Sequence, residues 1–174
     1  MSIPDWCLGS SVRYLQSLRL IQVQISDRQL ETLLIGLTSQ HSLLTLELQG
    51  LCLDSLDTHL FGRALSSVRN LILHNTFGYN VTSQQLETLF SVASHTDQTI
   101  LRHFHLILGD LVDITLLVLD TFLLSGVRVR LTDCTLSDSQ YKHFSQKEGI
   151  NISDNFGSLQ SSVSLTNFVD CDNI

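Results

Sequence analysis

Two short segments of alternating sequence carry the side chains with the clearest chemical potential. Residues 101–105 read LRHFH and place His103 and His105 two positions apart, and Arg128 and Arg130 repeat that spacing. Side chains two apart on a β-strand point to the same face. The histidines could therefore share a metal ion, and the arginines could bind acidic groups, because a planar guanidinium donates to two oxygens at once. No cysteine or carboxylate occupies a matching position in the histidine segment, so we expect no metal and no cofactor.

The sequence lacks the motifs of the common catalytic sites. It contains no G-x-x-x-x-G-K-[S/T], no G-x-G-x-x-G, no H-E-x-x-H and no G-x-S-x-G. A catalytic triad need not be contiguous in sequence. The apolar residues nevertheless follow a regular pattern that requires no pocket, so we predict that the protein is not an enzyme and assign no catalytic residue.

The arginine pair belongs to a stretch, Gly126 to Phe144, that predicts a short strand, a tight corner and a capped helix. Its helix begins with a capping box, in which a hydroxyl and a glutamine three residues later satisfy free backbone N–H groups. Three such boxes occur: Ser26 with Gln29, Thr82 with Gln85, and Ser137 with Gln140. Two of them open the identical pentapeptide QLETL, so the chain contains an internal repeat.

The strand half of the unit recurs as well. Its pattern L-x-x-L-x-L begins at Leu15 and reappears 28 residues later at Leu43. Further copies begin at Val68, Leu101 and Gly126, with a weaker one at Ile150. A strand-plus-helix unit cannot bury its apolar face alone, so neighbouring units must stack, with parallel strands and with helices outside. The sequence therefore predicts an α/β fold.

We predict caps for the second helix at Asp54 and for the fourth at Asp110 or Asp113. The fourth helix, about Ile114 to Leu124, is apolar almost all round. We expect it to lie under more cover than its neighbours or against something outside this chain.

The extended pattern L-x-x-L-x-L-x-x-(N/C)-x-L is that of leucine-rich repeats. The 28-residue step and the outer helices resemble the ribonuclease-inhibitor class, and VRLTDCTLSDSQYKHF is most similar to the repeat domains of NOD-like receptors. The resemblance covers about residues 15–155. It implies a solenoid of about five to six repeats, with a curved parallel sheet on the concave side and helices on the convex side. Residues 1–14 would form an N-terminal cap, 15–155 the repeat domain, and 156–174 a C-terminal cap or frayed tail.

The chain departs from the family pattern at the corners. In the family, an Asn or Cys side chain bonds to the corner backbone. The corresponding residues here are Val23, Leu51, Thr76, Gly109 and Cys134. We therefore expect irregular, less rigid corners. Gly126 stands in the first slot of its unit, where other units have Leu or Val, so we expect thin packing there.

The residues between the buried strand leucines would line the concave face. They are Ser17, Arg19, Ile21, Thr45, Glu47, Gln49, Asn70, Ile72, His74, His103, His105, Ile107, Arg128, Arg130 and Thr132. This set holds one acid against three arginines and three of the seven histidines. We call its basic members the cationic strip: Arg19, His74, His103, His105, Arg128 and Arg130.

We predict that the cationic strip binds an acidic segment of a partner protein or peptide. Because histidine gains charge below about pH 6.5, binding should be tighter at pH 5.5 than at pH 7.5. The alternative is that an exposed strand face simply tolerates Arg and His.

The overall composition narrows the class of partner. A net charge of −7 argues against nucleic acid and anionic membranes. The longest apolar run, Leu111 to Val127, is too short and too charged to span a bilayer. The four cysteines, Cys7, Cys52, Cys134 and Cys171, are widely spaced, which predicts buried free thiols and a cytoplasmic location. We predict a non-catalytic protein-interaction module. The alternatives are a ligand-sensing fragment of a NOD-like receptor and a substrate-recognition subunit of a ubiquitin ligase.

Overall fold

A computed structural model describes residues 15–38, 43–53, 55–76, 80–95 and 99–153. Within these ranges six strands alternate with five helices. In chain order they are β1 Ser17–Ile21, α1 Asp27–Thr38, β2 Thr45–Gln49, α2 Thr58–Ser66, β3 Asn70–His74, α3 Ser83–His95, β4 His103–Ile107, α4 Leu116–Leu124, β5 Arg128–Thr132, α5 Asp138–Phe144 and β6 Ile150–Ser153. The segments 1–14 and 156–174, assigned as caps or tail from the sequence, lie outside the described residues.

The six strands form one parallel sheet in the order β1-β2-β3-β4-β5-β6. The predicted α/β class is therefore confirmed. The register aligns the outward residues into three rows that cross the strands. The first row is Ser17, Thr45, Asn70, His103 and Arg128; the second is Arg19, Glu47, Ile72, His105, Arg130 and Asn151; the third is Ile21, Gln49, His74, Ile107, Thr132 and Ser153.

The alternate strand residues point to the other face and join the helices in a single apolar core. Leu46, Leu71 and Leu106 are fully buried there with helix residues such as Leu89. Three phenylalanines pack β4 against α3 and α4. Phe90 stacks on Phe122 at 4.5 Å between ring centroids, and Phe104 contacts both rings edge-on at 5.4 and 5.9 Å. One face of the sheet is thus packed, and the three rows lie on the open face.

The three predicted capping boxes are present. In the last box, the Ser137 hydroxyl accepts from the Gln140 backbone N–H, and the side-chain oxygen of Gln140 accepts from the Ser137 N–H at 2.8 Å. The reciprocal pairs Ser26–Gln29 and Thr82–Gln85 have the same geometry. Local sequence therefore determines where these helices begin.

The predicted caps of the second and fourth helices were wrong. Helix α2 is capped by Asp57, whose carboxylate accepts from the Leu60 N–H at 2.7 Å, and the proposed Asp54 lies outside the described residues. Helix α4 is capped by Thr115. Asp110 is used earlier, in the corner, where its carboxylate accepts from the Val112 N–H at 3.0 Å and forms a local turn.

The capping glutamines have a second role that the sequence analysis missed. The Gln140 amide group also donates to the Leu111 and Ile114 carbonyls, each at 2.7 Å, and Gln85 donates to the Leu53 carbonyl in the same way. Both glutamines are buried, and their carbonyl partners belong to the preceding unit. Each of these glutamines therefore caps its own helix and joins that helix by hydrogen bonds to the preceding unit.

The expectation of irregular corners was wrong at four of the five described corners, and their lower rigidity stays a prediction. Four of the five described corners place one residue with positive φ directly after the strand: Gln22, Gly50, Leu108 and Asp133, with φ of 50°, 64°, 56° and 52°. The N–H of each donates to the last carbonyl of the next strand, as in Gln22 to Gln49 at 2.8 Å. The backbone ladder thus sets the corner geometry, whichever side chain stands at the Asn/Cys position.

The exception follows β3, where the chain carries extra residues before α3. Here Asn75 is buried, and its side-chain oxygen accepts from the Val81 N–H at 3.0 Å. Its own N–H still donates to the Ile107 carbonyl. At the fifth corner Cys134, the one residue of the family type, donates its thiol to the Leu106 carbonyl at 3.3 Å.

Two glycines mark places where the packing of the repeat changes. A Cβ added to Gly126 would meet nothing within 4 Å, so the first slot of this unit is open, as expected, although the adjacent Val127 is buried. Gly126 has a φ of +83°, which favours glycine. At Gly109 a Cβ would lie 2.3 and 2.5 Å from two atoms of the fully buried Leu106 side chain. Leu106 thus fills the space that a corner Asn or Cys would need.

Surface exposure changes two further expectations. Helix α4 does not lie under more cover than its neighbours, because Leu117 and Leu124 are 76% and 86% exposed. A partner outside the chain stays a prediction for this helix. Cys52 is exposed and Cys134 half-buried, so the expected burial of the thiols was wrong for Cys52. Over the ranges given above, no helix combines the length and apolar character needed to cross a bilayer.

Candidate binding surface

Four members of the cationic strip surround one depression on the open face. Register pairs His103 with Arg128 in the first row and His105 with Arg130 in the second. The depression has a volume of about 590 Å³, and its apolar lining combines the outward side chain of Ile72 with core-facing positions of the strands such as Val129 and Ile150. Asn70 and Asn151 complete its rim. Basic groups therefore stand beside an apolar hollow that is open to solvent.

The other two members of the strip lie elsewhere. Arg19 is in β1, three strands from β4, and its guanidinium binds both carboxylate oxygens of Glu47 at 2.6 and 3.3 Å. His74 is in the third row and does not line the depression. The structure thus brings His103, His105, Arg128 and Arg130 together around the depression, and Arg19 and His74 lie outside it.

The pairing of Arg19 has a consequence for charge. Glu47 is the one acidic side chain among the fifteen outward positions of β1–β5, and it forms an ion pair with Arg19. Arg128 and Arg130 are exposed, and over the described part of the chain neither side chain forms an ion pair or a side-chain hydrogen bond. Two adjacent guanidinium groups are therefore available to an acidic ligand.

Both histidines at the depression are held by side chains of neighbouring strands. His103 donates from Nδ1 to the Asn70 side-chain oxygen at 2.9 Å, and the Asn70 amide group donates to Thr45 at 3.1 Å. His105 Nε2 lies 3.0 Å from the Thr132 hydroxyl. These contacts orient the two rings before any ligand binds.

The sixth strand adds residues that the predicted site did not contain. Ile150 and Asn151 line the depression because β6 continues the register past β5, with Asn151 opposite Arg130. The signal for this strand was the weak repeat at Ile150, whose alternation places Asn151 on the open face. The depression is thus shared by four strands.

A separate polar cluster lies on the helix side. Asp120 of α4 accepts from His143 Nε2 at 3.0 Å and also from the Lys147 ammonium. Burial alone would raise the pKa of Asp120, but the hydrogen bonds from Lys147 and His143 outweigh it and lower the pKa. The cluster joins α4 to α5 and the segment after it. No group of three or more His, Cys, Asp or Glu side chains in the described ranges could hold a metal ion.

The environment of His105 changes the expected pH dependence. Burial lowers its pKa below 6.5, the positive charges of Arg130 and His74 lower it further, and Glu47 partly opposes them. A bound carboxylate favours the imidazolium and raises this pKa. Binding of an acidic peptide should therefore tighten as the pH falls through the bound-state pKa, and the gain should continue to a pH below 6.5.

The pH dependence of binding can be measured as the affinity of a labelled acidic peptide between pH 5 and pH 7.5. We expect a gain of about three- to tenfold, because one pKa unit corresponds to a factor of ten. His105→Gln keeps a hydrogen-bonding group near Thr132 and should flatten most of the response. An equal response in the wild type and the variant would show that His105 does not titrate with ligand binding.

No family model, curated protein or solved structure matches the chain.

Proposed function

We propose that the chain is a short leucine-rich-repeat solenoid of the ribonuclease-inhibitor class, similar to the repeat domains of NOD-like receptors. The sequential parallel order of the strands and the alternation of one strand with one helix support this proposal. Equivalent residues of β1 and β2 also pair directly across the 28-residue step, as Leu18 does with Leu46. Stacked identical units are the arrangement that such a repeat requires.

The function that we propose is non-catalytic binding of a protein or peptide that carries an acidic segment. The observation that carries it is the pair of exposed arginines, Arg128 and Arg130, beside oriented histidines and an apolar depression. Arginine forks suit carboxylates, and the depression suits an apolar side chain next to them. Ligand sensing in a receptor and substrate recognition in a ubiquitin ligase would both use this face.

A peptide-display selection tests this proposal with a random library. The wild-type chain is the bait, and Arg128→Ala/Arg130→Ala is the counter-bait. We expect enriched peptides to contain two or more acidic residues near an apolar one, and to be lost on the counter-bait. Arg63→Ala/Lys142→Ala is the matched control, because it removes two exposed positive charges from the helix side. Equal enrichment on all three baits would refute the proposal.

A further inference from the structure

The segment after β6 has the composition of a ligand for the depression. Residues 154–174 read DNFGSLQSSVSLTNFVDCDNI. They contain three aspartates and no Lys, Arg or His. The apolar pair Phe168 and Val169 comes directly before Asp170 and Asp172. An apolar group beside two acids is the combination that the depression and its arginines suit.

The spacing of the acids also matches the spacing of the arginines. Arg128 and Arg130 are alternate residues of β5, so their side chains leave the same face about 7 Å apart. Asp170 and Asp172 are alternate residues too. An extended segment lying along β5 presents both carboxylates at that same repeat. One carboxylate can then face each guanidinium.

The connection from β6 permits this placement. Strand β6 forms one side of the depression through Ile150 and Asn151, and it ends at Ser153. Arg128 and Arg130 lie on the neighbouring strand, about 5 Å away in the sheet direction. Asp170 follows Ser153 by 17 residues, which span up to about 55 Å when extended. The segment is therefore long enough to turn back over the depression in either direction.

We infer that the segment around Phe168 to Asp172 occupies the depression of its own chain and competes with an outside partner. This inference rests on the proposed function, since it uses the same surface. Asp170 and Asp172 pair with Arg128 and Arg130, and Phe168, which lies on the same side of an extended segment, covers the apolar part of the depression. A tethered ligand acts at an effective concentration of the order of 1 mM. An outside acidic peptide therefore binds this chain more weakly than it binds a free depression.

The test uses the full chain and a fluorescein-labelled peptide of residues 163–174 with Cys171→Ser, followed by fluorescence anisotropy. Asp170→Asn/Asp172→Asn removes the competing carboxylates from the chain without altering the depression. We expect the peptide to bind this variant about tenfold or more tightly than the wild type, as displacement at millimolar effective concentration requires. Adding Arg128→Ala/Arg130→Ala should abolish the binding. Asp113→Asn/Asp138→Asn is the matched control, because it removes two exposed acids elsewhere and should leave the affinity unchanged.

Each other result overturns the inference in a recognisable way. Equal affinity for the wild type and the Asp170/Asp172 variant, still dependent on the arginines, refutes occupation in cis and leaves the proposed function standing. A wild-type affinity that rises on dilution of the protein assigns the segment to another copy. Failure of the peptide to bind any variant, while display-selected acidic peptides still need the arginines, also refutes only this inference. If no acidic peptide depends on the arginines, the proposed function fails as well.

Discussion

Replacing Gln140 with Glu should lower the free energy of unfolding by about 3–5 kcal/mol at pH 7.5. The substitution preserves shape and keeps an oxygen that can accept the Ser137 N–H. It removes the amide donor, however, and leaves the Leu111 and Ile114 carbonyls without that partner at a position only 2% exposed. It also places a carboxylate beside those two carbonyl oxygens. Urea unfolding followed by circular dichroism measures the loss.

The pH dependence of the Gln140→Glu variant separates charge from shape. Burial near carbonyl oxygens raises the pKa of the new carboxyl above its value of about 4.3 in the unfolded chain. The folded state then binds more protons than the unfolded state between those two pKa values, so stability relative to the wild type should recover as the pH falls. A difference that is independent of pH between 7.5 and 5 would contradict this account.

A control substitution isolates the contacts between units. Ser137→Ala removes the cap hydroxyl alone and should lower stability by about 1 kcal/mol. We expect this loss to be well under half of that at Gln140. Equal losses at Ser137 and Gln140 would mean that the buried bonds to Leu111 and Ile114 add nothing beyond the cap.

These glutamines show what a repeat pattern can and cannot predict. The boxes at Thr82 and Ser137 were evident because the hydroxyl and the amide lie three residues apart. The second set of bonds reaches 26 to 32 residues back, to backbone atoms whose sequence is irrelevant to the contact. One signal was present: all three boxes use Gln, although Glu serves equally well in a capping box. Only Gln carries the additional donor.

The corners show that a regular turn forms without the side chain that the repeat pattern predicts there. The absence of Asn or Cys at this position predicts weak corners only if such a side chain is what holds the turn. Here the N–H of the left-handed residue donates to the neighbouring strand, as Leu108 does to Thr132 at 3.0 Å. A backbone hydrogen bond of this kind requires no particular side chain, so the sequence contains no signal for it. Its presence could be expected only from the parallel ladder, which continues one residue beyond each strand.

The candidate surface was predictable in part. Strand boundaries fell where the alternation placed them, so the pairing of His103 with Arg128 and of His105 with Arg130 follows from the repeat. The pairing of Arg19 with Glu47 follows from it too, since the two occupy the same position 28 residues apart. The extent of the depression could not be predicted, because it depends on the size and packing of side chains from four different strands.

Removing both guanidinium groups should have the largest effect on binding. Arg128→Ala/Arg130→Ala should weaken the affinity for an acidic peptide by about 100-fold or more, since hydrogen bonds to charged groups contribute about 1.5–3 kcal/mol each. The fold should be unaffected, because both side chains are exposed and the strand backbone is unchanged. Isothermal titration calorimetry with a display-selected peptide measures the loss, and thermal unfolding checks the fold.

Matched substitutions assign the effect to geometry as well as charge. Arg128→Lys/Arg130→Lys retains both positive charges but loses the planar forks, so it should recover only part of the affinity. Arg19→Ala should weaken binding by less than about threefold, because Arg19 is already paired with Glu47 and lies outside the depression. Full recovery of the affinity by the lysine variant would mean that the surface attracts the peptide only through non-specific charge. A loss at Arg19 as large as that at the Arg128–Arg130 pair would instead place the ligand across the whole sheet, away from the depression.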